Sequence, residues 1–196
     1  MEKEKPVLLL VCGGAPVPGL NAMISAVAMN GNRMGWEIMA VNDGYVHLAT
    51  GDPDIVKENS IILTEENTRY ISRLGGSIIR CDRFDPTISP EYVENIHKML
   101  KYFKVRYLLI ARGSSKIQSA NFITRGCDPY DLKVLVIPKT IDNDVPIPAG
   151  MSTFGYHSAF ALGSRLIKNL IQDAHAVPRW HIVWLWDVEQ VTLRMK

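Results

Sequence analysis

Four short, mostly apolar runs, at residues 7–11, 37–41, 106–111 and 133–137, each stop at a polar or glycine-bearing stretch, and segments of helical spacing lie between them. Val7-Leu-Leu-Leu-Val11 is unbroken by any polar residue, the pattern of a strand covered on both faces. Residues 21–29 carry a helical pattern. A second helix starts at Ser89-Pro90-Glu91, with Ser89 as the expected cap and Pro90 at the first helical position. Val93, Ile96, Met99, Leu100 and Phe103 then share one face. A long helix is expected over 154–175, with Phe160, Leu162, Leu166, Leu170 and Ile171 turned inward, and a last strand over 179–186. The stretch 61–83 resists placement, although it holds Ile61-Ile62-Leu63 and the pair Gly75-Gly76. Strands alternating with helices imply right-handed βαβ units and a mainly parallel sheet. Ligands of such sheets bind outside the carboxyl ends of the strands.

Charge and cysteine content narrow the function classes. The 22 Lys and Arg against 20 Asp and Glu leave +2, with no basic block to suit nucleic acid. Cys12, Cys81 and Cys127 form no C-x-x-C pair and read as free thiols in a reducing compartment, so a cytoplasmic soluble protein is expected. No run of about 18 apolar residues, the length that spans a bilayer, occurs. His47, His97, His157, His175 and His181 lack metal-ligand spacing, and Met23, Met29, Met34 and Met39 read as core filler.

Two loops can carry chemistry. Gly13-Gly-Ala-Pro-Val-Pro-Gly-Leu-Asn21 joins the first strand to the first helix. Its glycines let the backbone approach a ligand, and a helix start offers free N–H groups and partial positive charge, so a phosphate would sit there. It is neither G-x-G-x-x-G nor a Walker loop, and a plain β–α turn accounts for it equally. The second segment, Pro138-Lys139-Thr140-Ile141-Asp142-Asn143-Asp144, follows the fourth strand. If it is extended, its two carboxylates point to one side. One can serve as a base toward a hydroxyl while the other orients the substrate or a metal, and Lys139 can neutralise phosphate charge. An Asx-rich turn capping the next helix is the equal alternative.

The Lys139–Asp144 segment, followed by Ser152-Thr153-Phe154-Gly155-Tyr156, resembles the signature of the phosphofructokinase family. Gly14 to Asn21 is similar to that family's first phosphate loop, and Gly75-Gly76-Ser77 with Arg80 and Arg83 resembles its second glycine stretch. Asp173-Ala174 and Arg179-Trp180 fit as well, and the likeness covers about residues 6–183. The resemblance implies a three-layer α/β sandwich with a mainly parallel sheet, the family's N-terminal lobe. It implies a glycolytic kinase that transfers a phosphoryl group from ATP or pyrophosphate to the 1-hydroxyl of fructose 6-phosphate, in a homo-oligomer. Asp142 would be the base, Asp144 would assist and Thr140 would touch substrate. Gly14, Gly19, Arg83, Gly113, Ser114 and Lys139 would hold the phosphoryl donor, and Arg179 would reach the sugar phosphate of a neighbouring subunit. Mg²⁺ would bridge the donor. By the resemblance, Lys139 stands where a lysine is typical of pyrophosphate users and of some ATP users, while Ser115 lacks an acidic side chain that would crowd out a nucleotide.

The sequence also departs from the family. Ala111-Arg112-Gly113-Ser114-Ser115 replaces a glycine- and aspartate-rich loop. Ser114 stands at the position of the metal-binding aspartate, for which a hydroxyl is a poor substitute. Arg112 adds bulk where glycine lets phosphate approach, and Ala15 and Pro16 alter the first loop. After Val183 the family continues Val-Ala-Met-Gly-Arg, whereas this chain reads Trp184-Leu-Trp-Asp-Val188. Read one base earlier, compatible codons for these residues spell the family segment. The expectation is a lobe over 1–183, a tail over 184–196 that is either a frameshift product or a divergent strand, and no second lobe. A catalytically inactive fragment that at most binds phosphate ligands is therefore the alternative to an active kinase.

Overall fold

In the computed structural model, β1 (Val7–Cys12) is central in a six-stranded sheet of order β3-β2-β1-β4-β5-β6. The structure describes residues 5–113, 118–125, 132–145, 147–148 and 150–177. β2 (Glu37–Val41), β4 (Val105–Arg112), β5 (Lys133–Thr140) and the two-residue β6 (Phe154–Gly155) extend the sheet in parallel. The edge strand β3 (Ser60–Leu63) is antiparallel to β2. The stretch that resisted placement thus begins with a strand. It was illegible because Ile61-Ile62-Leu63 is too short to show a period.

The sheet is covered on both faces, as the apolar run of β1 requires. Leu9, Val11, Met39, Val41, Leu108 and Ile110 point to one side. They pack with Val56 of α2 (Pro53–Glu58), with Ile96, Met99 and Leu100 of α4 (Pro90–Tyr102), and with Ala120 and Ile123 of α5 (Gln118–Arg125). Leu10, Cys12, Ile38, Ala40, Leu109 and Ala111 alternate to the other side. There they meet Leu20, Met23, Ile24 and Ala28 of α1 (Leu20–Arg33), together with Ile71 and Ile79. A short α3 (Glu65–Thr68) follows β3. Each large aliphatic side chain so buried contributes about 1.5–3 kcal/mol. The three-layer α/β arrangement with a mainly parallel sheet is the architecture expected above.

Several local expectations need correction. Ser89 sits at the cap of α4 but its side chain makes no capping hydrogen bond, so Pro90 and the buried face set that start. Of the four methionines, Met34 is 63% exposed, because α1 ends there. β5 runs two residues past Pro138, so Lys139 and Thr140 belong to the strand rather than to the loop after it. Its outer half is not a buried strand: Leu135 is 62% exposed, since β6 pairs only with Lys139 and Thr140.

The chain divides into two units, 1–157 and 158–196. In the second, residues 158–176 are helical and belong to α6 (Tyr156–Ala176). Phe160, Leu162, Leu166, Leu170 and Ile171, expected inward, are exposed. Their spacing marks an apolar face but carries no information on what covers it. The expected strand over 179–186 and the tail 184–196 lie outside the described residues.

Candidate active site at the carboxyl ends of β1, β4 and β5

Three strand ends converge in register. Cys12 of β1 pairs with Ala111 of β4, and Arg112 of β4 pairs with Pro138 of β5. The chain leaving β1 turns at once: Gly13 N–H donates to Ala111 O at 2.9 Å and Gly14 N–H donates to Asp82 O at 2.7 Å. Gly14 and Gly19 have φ of 79° and 91°, in the left-handed region that disfavours any side chain. Gly19 caps α1 without a side-chain bond.

Lys139 lies beneath this turn. A Cβ on Gly14 would sit 3.5 Å from its Nζ, and the amine donates to Ala15 O. The residue is 2% exposed. Among the described residues no carboxylate forms an ion pair with it. Burial pushes its pKa below the ordinary lysine value; the Cys81 and Cys12 thiols oppose that shift, and the Arg112 and Arg83 charges add to it. A buried amine with one carbonyl partner keeps two donors for an anion.

Arg112 is the second buried cation, also 2% exposed. Its Nη2 donates to Phe84 O at 2.8 Å, and its guanidinium lies 5.4 Å from the Tyr45 ring centre. Its Nη1 has no hydrogen-bond partner among the described residues. Burial lowers its pKa as well. Its stem fills the space under Gly13, where a Cβ would lie 3.3 Å from Arg112 Cδ. From the sequence, Arg112 is only bulk. Its position at the end of a buried strand was visible, but its turn toward Tyr45 and Phe84 was not.

The acid pair sits just beyond. Asp142 and Asp144 are exposed. Thr140, 7% exposed, donates through Oγ1 to Asp142 Oδ2 at 3.3 Å and accepts Asp142 N–H at 3.1 Å. The segment is not extended: Asn143 has φ 57°, so simple alternation does not aim both carboxylates. Asn143 Oδ1 accepts Thr153 N–H at 2.9 Å, and Thr153 Oγ1 donates to Thr140 O at 2.9 Å. These bonds pin the acid loop to β6. β6 in turn packs on the first loop, since a Cβ on Gly19 would meet the Phe154 ring at 3.1 Å and one on Gly155 would meet Val17 Cβ at 2.8 Å.

Asn21 connects the other glycine stretch. Its Nδ2 donates to Gly75 O at 2.9 Å and Leu74 O at 3.3 Å, while its Oδ1 accepts Ile78 N–H at 2.9 Å. Arg80 is held by Asp43 at 2.6 Å, and exposed Arg83 is near enough to act on Lys139. Gly113 approaches Lys139 O, at 3.3 Å from a Cβ built on it. The structure therefore brings together Gly14, Gly19, Arg83, Gly113, Lys139, Thr140, Asp142 and Asp144. Ser114 and Arg179 lie outside the described residues. Among the described residues no group of three His, Cys, Asp or Glu could hold a metal unaided. Mg²⁺ shared with phosphate oxygens needs only one or two carboxylates, and Asp142 and Asp144 are the exposed carboxylates of this loop. Nor is any helix of the described residues long and apolar enough to cross a membrane.

Comparison with known proteins identifies the family and the fold. The family model described as phosphofructokinase matches residues 7–185. The chain is 36% identical over 174 residues to a pyrophosphate–fructose 6-phosphate 1-phosphotransferase of Thermotoga maritima, covering 89% of this chain and 40% of that protein. It is 31% identical over 141 residues to an ATP-dependent 6-phosphofructokinase of Thermotoga neapolitana, covering 72% and 41%. It thus spans about two fifths of the length of these relatives. Among solved structures, Pichia pastoris phosphofructokinase in the T-state superposes with TM-score 0.72 at 20% identity, covering 91% of this chain and 19% of that one. By sequence and by fold, the chain belongs to the phosphofructokinase family.

Proposed function

We propose that residues 1–183 form the N-terminal lobe of a 6-phosphofructokinase, a cytoplasmic enzyme that moves a phosphoryl group from pyrophosphate or ATP to the 1-hydroxyl of fructose 6-phosphate. The observation that carries this reading is Lys139, a buried cation with no carboxylate partner among the described residues, aimed at the turn of Gly14 and two residues before an exposed acid loop. A buried charge without a counter-ion is costly, and an anionic ligand at that turn supplies one. In the proposed reaction Asp142 takes the proton of the sugar hydroxyl. The hydroxyl oxygen bonds to the terminal phosphorus of the donor as the bond from that phosphorus to its leaving oxygen breaks. Lys139 and Arg83 balance the charge on donor oxygens, Gly14 and Gly19 let those oxygens approach the backbone, and Asp144 and Thr140 orient Asp142. Mg²⁺, held beside the donor by Asp144, would supply further charge neutralisation.

Arg112 favours a second reading, in which the site binds phosphate ligands without turnover, because its stem occupies the space under Gly13. Incubation with fructose 6-phosphate and each donor separates the two. Formation of the bisphosphate by the natural chain, and its loss in Asp142→Asn, supports the kinase. Donor binding with no product from either chain supports the second reading, and neither binding nor product contradicts both.

A further inference from the structure

Cys12 and Cys81 are placed for chemistry that phosphoryl transfer does not use. Gly13 and Asp82 form an isolated parallel bridge. Cys12 ends β1 and Cys81 directly precedes the bridged Asp82, so the two stand side by side one position before the bridge. Chains bridged in parallel lie about 4.8 Å apart, within the Cα separation of about 4.4–6.8 Å that a disulfide spans. Cys81 packs against the apolar cluster that contains Cys12, and both sulfurs are free thiols. Cys12 is fully buried and Cys81 partly exposed, so one thiol is reachable from solvent and the other waits behind it. We propose that Cys12 and Cys81 form a reversible disulfide, by exchange with a small-molecule disulfide, that ties the end of β1 to the segment carrying Arg83.

The exchange proceeds in two balanced steps. The Cys81 thiolate attacks one sulfur of the small disulfide, forming a mixed disulfide and expelling a small thiolate. The Cys12 sulfur then attacks Cys81 Sγ, the remaining small thiol leaves, and it takes up the Cys12 proton. Two protein thiols are oxidised and one small disulfide is reduced to two thiols. Exposure assigns the order, and the directions of the electrostatic effects agree with it. The groups acting on Cys81 are the Cys12 thiol, the Lys139 charge, the Ser77 hydroxyl and the Asp43 carboxylate. Hydrogen bonding from Cys12, followed by Lys139, holds Cys81 down to about 7 against the opposing effect of burial, whereas Cys12 is pushed well up by the Cys81 contact and burial. A lowered, accessible thiol is the attacking one and a raised, buried thiol the resolving one.

The test reads thiols rather than turnover, so it stands apart from the kinase reading. The full chain is incubated natively with oxidised glutathione, its thiols are counted, and its proteolytic peptides are mapped. Cys12 and Cys81 are expected to lose their free thiols together, in a Cys12–Cys81 linked peptide that dithiothreitol releases. Cys12→Ser is expected to stop at a glutathione adduct on Cys81, and Cys127→Ser to give the same link as the natural chain. Retention of all three thiols, glutathione persisting on Cys81 beside an intact Cys12, or links spread over all cysteine pairs as in a denatured control would each overturn the proposal.

Discussion

Replacing Lys139 by methionine separates ligand binding from folding. The side chain is 2% exposed, its amine donates to Ala15 O, and it lies 3.5 Å from where a Cβ on Gly14 would be. Methionine has similar length and no charge, so it fills the same space without a desolvated cation. A hydrogen bond from a charged donor contributes about 1.5–3 kcal/mol, so pyrophosphate affinity should fall about 10- to 150-fold. Stability without ligand should stay level or rise, because a buried charge has been removed. The pH dependence gives a second reading. Burial lowers the pKa of Lys139 in the folded chain. Between that lowered value and the ordinary 10.5 the unfolded chain binds more protons, so stability climbs with pH across this window and levels off above it. Lys139→Met should lack that climb. Calorimetric titration with pyrophosphate and urea unfolding at stepped pH measure both effects. Unchanged pyrophosphate affinity in a folded variant would refute the reasoning.

Three further substitutions probe the framework. Asp142→Asn should lower phosphoryl transfer by about 10²–10⁴-fold, the usual contribution of a positioned base, with donor affinity from titration nearly unchanged. Gly155→Ala places a Cβ 2.8 Å from Val17 Cβ at φ 97°; left-handed strain of about 1–2 kcal/mol plus overpacking of about 1–3 kcal/mol should be visible as a lowered thermal midpoint. Asn21→Ala removes the side chain that holds Leu74, Gly75 and Ile78; a loss of about 1–3 kcal/mol and faster proteolytic cutting between residues 70 and 83 are expected.

Features with a strong local cause were readable from the sequence. An unbroken apolar β1 demanded cover on both faces, and α1 and α4 supply it. Glycines at left-handed positions and the Lys139–Asp144 motif pointed to the carboxyl end of the sheet, where both are found. What escaped reading depends on partners far along the chain. Nothing near Arg112 in sequence announces Tyr45 or the Phe84 carbonyl, and Cys12 and Cys81 are 69 positions apart by number, 81 minus 12. The turn at Asn143 escaped because its cause, Thr153, lies ten residues on. The outward face of α6 escaped because hydrophobic period reports a face and not its cover.

A crystal of the chain grown with pyrophosphate and fructose 6-phosphate tests the site most directly. Phosphate oxygens against the Gly14 amide and the Lys139 amine, with the sugar 1-hydroxyl in hydrogen-bond reach of Asp142, are expected. Both ligands bound elsewhere, with the Lys139 amine still held by Ala15 alone, would contradict the account.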